Sequence, residues 1–284
     1  MIDYHIHPNY SIDAEGSIDE FCKVALEREF REICFTTHLD TDAVRNDAYV
    51  IVRGKRVDAR SSSWLEDYEN SVRIAGDQYR NEGLEVRLGV EVDYYPGVMD
   101  NLPETFHDTK FDLVMGSAHL VDHLAISVKE ESHEFFSKHN MEQMGNIYFS
   151  LLMDCVESGL FDILGHLDLY RRYGEEFYGG EIRSLWKAHV SDLASGMKRF
   201  NVGFEVNTSS LRKGMDESMP DASLVAALRK EGIETVTVGS DAHRPRDVGQ
   251  GIEIALKVIK ECGFDSPVSF DKRRASPFVV QESP

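Results

Sequence analysis

His5 and His7, in the opening DYHIHPN, lie two residues apart at the end of a short apolar run. In a β-strand that spacing puts both imidazoles on one face. Such a pair is half of a metal site or a coincidence, and alone it does not decide. Groups of the same ligand type recur along the chain: His38 in FTTHLD, Glu91 in GVEVDYY, His119 in MGSAHLVD, His166 in ILGHLDLY, and Asp241 with His243 in VGSDAH. Nitrogen and carboxylate donors without thiolate suit zinc, manganese or iron, and ligand type does not separate the three. A glutamate can bridge two cations roughly 3.5 Å apart, and zinc can bring the pKa of a bound water from about 16 to about 7.

The elements that must position these groups follow from periodicity. Short β-branched runs predict strands at Ile2–Ile6, Glu32–Thr36, Val86–Val90, Leu113–Ser117, Asp162–Leu164, Gly203–Val206 and Thr235–Val238. Helical periodicity fills the intervals near Ser17–Arg28, Trp64–Glu82, Gln143–Ser158, Glu181–Phe200, Ala222–Glu231 and Val248–Cys262. Ser17 with Glu20 reads as a capping box, and Gly83, Gly159, Gly232 and Gly263 read as helix stops. Strict β/α alternation predicts a parallel sheet, and seven units predict a distorted, TIM-like (β/α)7 barrel. Each ligand-type residue then falls just past the carboxyl end of a strand, the face where β/α barrels build active sites. His107, His123, His133, His139 and His189 sit away from strand ends and read as ordinary packing or surface residues. No GxGxxG or Walker sequence follows a strand, which argues against dinucleotide and NTPase functions.

Length allows one large α/β domain or two small ones. A formal net charge of −19 disfavours nucleic acid and acidic membranes as partners. Cys22, Cys34, Cys155 and Cys262 are scattered, without a CxxC pair, which fits a reducing compartment. With no membrane-length apolar run and no signal-peptide pattern, the expectation is a cytoplasmic protein. Two long connections, after the second and fourth strands, read as covers of a binding site or as surface insertions. The first carries a basic island of Arg45, Arg53, Lys55, Arg56 and Arg60.

An acidic chain can handle a small anion only if metals and a few arginines invert the potential locally. DLYRRYGEEF offers Arg171 and Arg172, and EVNTSSLRKGMD offers Asn207, Arg212 and Lys213. Asp168 either orients a ligand or caps the next loop. Asp42, Asp93 and Asp122 are acids, and Tyr94, Tyr95, Tyr170 and Tyr173 aromatics, near strand ends.

The combination HIH, TTHLD, GVEVD, GSAH, GHLD and GSDAH resembles the PHP (polymerase and histidinol phosphatase) superfamily across nearly the whole chain. The stretch SIDAEGSIDEFCKVALEREFREICFTTHLD resembles the opening of its stand-alone phosphatases of the histidinol-phosphate phosphatase type. The resemblance implies one PHP-type domain over residues 1–284 and a trinuclear centre of two to three divalent transition-metal ions. On this sequence the first ion would take His5, His7, Glu91 and Asp241; the second would share Glu91 and add His119 and His166. The third would take Asp13, His38 and His243, with Glu15 as the alternative to Asp13. The implied reaction is hydrolysis of a small phosphorylated substrate, L-histidinol phosphate, to L-histidinol and phosphate in histidine biosynthesis. Glu91, Asp241 and His243 are the expected catalytic residues, with Asp241 or His243 supplying the leaving-group proton. Arg212 and one of Arg171 or Arg172 are raised further as phosphate ligands. The alternatives are another small ester, such as a nucleotide or sugar phosphate, and a non-catalytic metal-binding module.

Overall fold

Strands buried on both faces need layers of helix on either side of them or a closed barrel with helices outside. The chain takes the barrel. In the structure, a computed structural model describing residues 1–279, the order is β1 (Ile2–Ile6), α1 (Ile18–Glu27), β2 (Glu32–Leu39), β3 (Tyr49–Val52), β4 (Lys55–Asp58), α2 (Ser62–Tyr79) and β5 (Glu85–Asp93). There follow β6 (Leu113–Ser117), β7 (Leu120–Val121), β8 (Leu124–Ala125), α3 (Lys129–Ser137), α4 (Met141–Glu157), β9 (Ile163–Leu164), α5 (Arg171–Tyr178) and α6 (Val190–Phe200). The last part holds β10 (Gly203–Asn207), α7 (Ser209–Arg212), α8 (Ala222–Lys230), β11 (Val236–Gly239), α9 (Ile252–Glu261), β12 (Val268–Asp271) and β13 (Arg274–Pro277).

Seven strands form one parallel sheet in the order β1-β2-β5-β6-β9-β10-β11. All residues of β1, β6, β10 and β11 are buried. Helices pack outside; α2 turns Leu65, Tyr68, Val72, Ala75 and Tyr79 inward at the 3–4 spacing of one helical face. Between β11 and β1 the closure is partial. His7 N–H donates to the Ala242 carbonyl at 2.9 Å and Ala242 N–H to that of His5 at 3.2 Å. Below this bridge the buried Asp3 carboxylate stands in for the missing ladder, accepting the Ser240 and Gly249 N–H groups, each at 2.8 Å.

The seven expected strands are present, but β2 and β5 run three residues further than their β-branched cores, so His38 and Glu91 lie inside strands. Register pairing His38 with Glu91 extends the ladder through polar residues that isolated pattern reading ends too early. The expected helix Glu181–Phe200 is instead a 3-10 stretch, Gly180–Ala188, followed by α6. The break falls at His189, whose ring stacks flat on Phe149 at 4.5 Å. α9 starts at Ile252 rather than Val248, because Gly249 and Gly251 take positive φ values of 71° and 82° that a helix excludes.

Both long connections are structured. The first contains the β3–β4 hairpin and the second the β7–β8 hairpin and α3. At the opposite end, the β12–β13 hairpin closes the barrel floor: Phe270 N–H donates to the Tyr4 hydroxyl at 2.7 Å and Arg273 N–H to the Asp112 carbonyl at 2.9 Å. No helix among the described residues is long and apolar enough to cross a membrane.

Candidate metal centre

Glu91, wholly buried near the end of β5, is the hub of the carboxyl-terminal face. Its Oε2 lies 3.3 Å from His5 Nε2, 3.5 Å from His7 Nε2 and 2.9 Å from His38 Nδ1. Its Oε1 lies 3.1 Å from His166 Nε2 and 3.7 Å from His119 Nε2, and accepts the Ser117 hydroxyl at 2.5 Å. Asp241 Oδ1 faces His7 Nε2 and His243 Nδ1, both at 3.3 Å, and His5 Nε2 at 3.7 Å. Asp13 Oδ2 is 3.2 Å from His243 Nε2, and its Oδ1 is 3.8 Å from His38 Nε2. Glu15 turns away and pairs with Arg244 at 3.1 Å, so of the two acids Asp13 meets the histidines. The structure thus brings together His5, His7, Asp13, His38, Glu91, His119, His166, Asp241 and His243.

Backbone placement explains the convergence. His5 lies on β1 and His7 just past its end on the same face, His38 and Glu91 pair across β2 and β5, and His119, His166 and Asp241 each follow closely on the ends of β6, β9 and β11. Asp241 sits at φ +54°, a conformation costing a non-glycine residue on the order of 1–3 kcal/mol. Its neighbours hold it there: Ser240 is bound by Asp3, and Ala242 is bridged to β1.

The donor set fits divalent cations. His5 Nε2, His7 Nε2, His38 Nδ1 and Glu91 Oε2 are buried without a hydrogen-bond partner. Such atoms are costly unless something answers them. Four overlapping triads bring ligand atoms within 4.8 Å of one another: His5–His7–Asp241, His5–Glu91–His166, His7–His38–His243 and His38–Asp93–His119. Charge follows the same logic. Burial pushes Glu91 and Asp241 upward, but the surrounding histidines, with Lys213 beside Asp241, outweigh it and hold both well below the usual carboxylate range. Burial likewise opposes protonation of His38, yet Glu91 and Asp13 raise it to about 10, while burial with His38 and His243 alongside keeps His7 well below normal.

Above the ligands opens a cavity of about 670 Å³ that reaches Asp13, His38, His119, Asp241 and His243. One wall carries Arg172, Arg212 and Lys213, and among the described residues none of the three has a carboxylate at ion-pair distance. Arg212 Nη2 donates to the Asp241 carbonyl at 2.9 Å, while its buried Nη1 has no partner. The opposite wall carries Asp40, Asp47, Asp93 and Tyr49. Arg45 lies there too, neutralised by Asp47 at 2.6 Å and Glu131 at 2.7 Å; it ties the first insertion to the second.

Two expected phosphate contacts do not reach the cavity. Arg171 is fully buried, 2.8 Å from Asp168 and 3.5 Å from Asp221, because the first turn of α5 points it into the barrel wall and leaves Arg172 facing the opening. Asn207 is consumed behind the histidines, its Oδ1 accepting the Ser209 N–H and hydroxyl at 2.9 and 2.7 Å. Asp168 therefore orients Arg171 and not a ligand histidine. Of the pocket acids, Asp93 binds His119 Nδ1, Asp42 pairs with His123 at 2.5 Å, and Asp122 faces a separate cavity of about 490 Å³. Tyr94, Tyr95 and Tyr170 are packed in the core, and the cavity takes its tyrosine, Tyr49, from the hairpin. In the basic island, Arg53 pairs with Asp67, Arg60 with Asp58, and Arg56 lies over Tyr49.

Reading strand ends misses Glu205, in the middle of β10, whose Oε1 is 2.7 Å from His5 Nδ1. The signal was present: a lone carboxylate in the otherwise apolar run VGFEV.

The PHP domain family model matches residues 3–209. A protein of Deinococcus radiodurans named as a probable histidinol-phosphatase is 27% identical over 98% of this chain and 99% of its own length. A protein of Thermoanaerobacter sp. named only as a probable phosphatase is also 27% identical, over 93% of this chain and 87% of its own. The crystal structure of histidinol phosphate phosphatase from Lactococcus lactis, complexed with zinc, L-histidinol and phosphate, superposes with a TM-score of 0.79 at 20% identity, covering 97% of this chain and 98% of that one. That likeness is one of fold.

Proposed function

The chain belongs to the PHP domain family, and from that premise we propose that it is a metal-dependent phosphomonoesterase converting L-histidinol phosphate and water to L-histidinol and phosphate. The observation that carries this reading is the lining of the cavity: cations without a carboxylate partner on the segments after β9 and β10, carboxylates after β2 and at the end of β5, and buried ligand-type atoms without hydrogen bonds among the histidines and Glu91. A substrate with a phosphate at one end and an ammonium at the other fits that arrangement. The relatives' names point the same way.

His5, His7, Glu91 and Asp241 would hold one ion, Glu91 with His119 and His166 a second, and Asp13, His38 and His243 a third. When bound, the two to three zinc, manganese or iron ions supply a water of lowered pKa and neutralise phosphoryl charge. Arg172, Arg212 and Lys213 bind and orient the phosphate oxygens. The proton for the leaving alkoxide would come from Asp241 or His243. Asp40 and Asp93 face the substrate's ammonium and imidazole end. Residues 1–284 would act as one catalytic domain, of which 280–284 lie outside the described residues.

The test is turnover of a panel of phosphate esters by protein whose metal content has been measured. We expect two to three ions per chain and a kcat/KM for histidinol phosphate at least about a hundredfold above nucleoside monophosphates and sugar phosphates. Comparable efficiency across the panel would keep the phosphatase and refute the substrate; less than one ion per active chain would refute the metal centre.

A further inference from the structure

Glu205 is wholly buried in the middle of β10, and among the described residues no lysine or arginine lies at ion-pair distance from it. Burying a carboxylate costs several kcal/mol, so it persists only where its oxygens are fully used. They are. Oε1 accepts a hydrogen bond from His5 Nδ1 at 2.7 Å; Oε2 accepts the backbone N–H of His166 at 3.2 Å and the Asn207 side-chain amide at 3.1 Å. The neighbouring strand makes room for this reach. A Cβ on Gly239 of β11 would fall 2.1 Å from Glu205 Oε1 and 2.4 Å from the His5 Cβ.

We propose that Glu205 is a positioning residue that sets the ring orientation and tautomer of His5 and the backbone of His166, so that both present Nε2 lone pairs toward Glu91. The inference rests on the metal-centre reading above. With Nδ1–H committed to Glu205, the nitrogen of His5 left to coordinate is Nε2, and that is the atom found buried, without a hydrogen-bond partner, 3.3 Å from Glu91. His119 repeats the pattern, its Nδ1 bound to Asp93 and its Nε2 turned inward. Glu205 differs in also gripping a second ligand residue through the main chain. Asn207 carries the same order outward, accepting from Ser209 at the start of α7, the segment that bears Arg212. One buried carboxylate thereby fixes two ligand residues and braces the segment that lines the phosphate wall.

The experiment measures zinc affinity of chelator-stripped protein by competition with a chromophoric chelator, together with the melting temperature of the stripped protein. Glu205→Gln keeps the volume and an acceptor for His166 but loses the charge on His5. We expect its tightest zinc affinity to fall by about 10- to 100-fold, with the stripped protein melting within a few degrees of wild type. If that variant does not fold, Glu205→Asp, which retains the charge but withdraws it by one methylene, is read in its place with the same expectation. A folded variant that binds zinc as wild type does overturns the proposal. Wild-type protein that takes up no zinc overturns the metal-centre reading itself, so the two failures are distinguishable.

Discussion

At the amino-terminal end of the barrel Asp112 accepts the Arg73 guanidinium at 2.8 Å, the Leu88 N–H at 2.9 Å and the Lys272 N–H at 3.1 Å. Its neighbour Asp162 meets Arg273 at 3.1 Å and the Val114 N–H at 2.8 Å. At the carboxyl-terminal end Glu91 is buried as deeply but meets imidazoles, and one of its oxygens has no hydrogen bond. The floor is satisfied by its own chain, much of it through the β12–β13 hairpin. The upper face is left with lone pairs to spare, and it is this difference that the proposed metal centre rests on.

Substitutions at the two ends should therefore fail in different ways. The largest effect belongs to Glu91→Gln, which we expect to lower kcat by about a thousandfold or more, roughly 4 kcal/mol of barrier, with the circular dichroism of the folded protein retained. Near wild-type turnover would move the hub elsewhere. Next, Arg212→Ala should cut kcat/KM for a phosphate ester by about a hundredfold while Arg56→Ala stays within about twofold, since Arg212 faces the cavity with a free Nη1 and Arg56 stacks on Tyr49. Steady-state kinetics of both variants decides it; the reverse order would place phosphate recognition in the first insertion.

The floor predicts the mirror image. Asp112→Ala should cost about 3 kcal/mol in urea unfolding, because three donors lose their acceptor, and leave kcat per folded molecule unchanged. A loss of kcat without a loss of stability would erase the distinction between the two ends. The smallest effect concerns Asp168, an upper-face acid paired with arginine in the manner of the floor. Burial raises its pKa from 3.8 to about 6 although Arg171 opposes the shift. The native state then binds this proton more tightly than the unfolded chain, so stability falls as pH rises from about 4 to about 6. In metal-stripped protein, unfolding at pH 4.5 and 7 should show a larger loss for wild type than for Asp168→Asn, and equal losses would mean that Asp168 does not titrate in this window.

The arginines show where sequence reading stops. Arg171 and Arg172 are adjacent and chemically equal in sequence, but a helix turns successive side chains by 100°, so one enters the wall and its neighbour the cavity. Asn207 looked available because it follows a strand; the ladder with β11 turns it inward, against Glu205. Arg45 belongs to a basic island in the sequence, but the second insertion brings Glu131 to it across 86 residues.

The strands, their alternation with helices and the ligand types near their ends were legible in the chain, because period-2 and period-3.6 burial and the chemistry of histidine and carboxylate are local properties. Long-range packing sets which cations remain without a carboxylate, which acids are neutralised, that Asp13 and not Glu15 meets His243, and that Glu205 reaches His5. Each of these depends on distances between segments far apart in the chain, which closure of the barrel sets and no window of neighbouring residues contains.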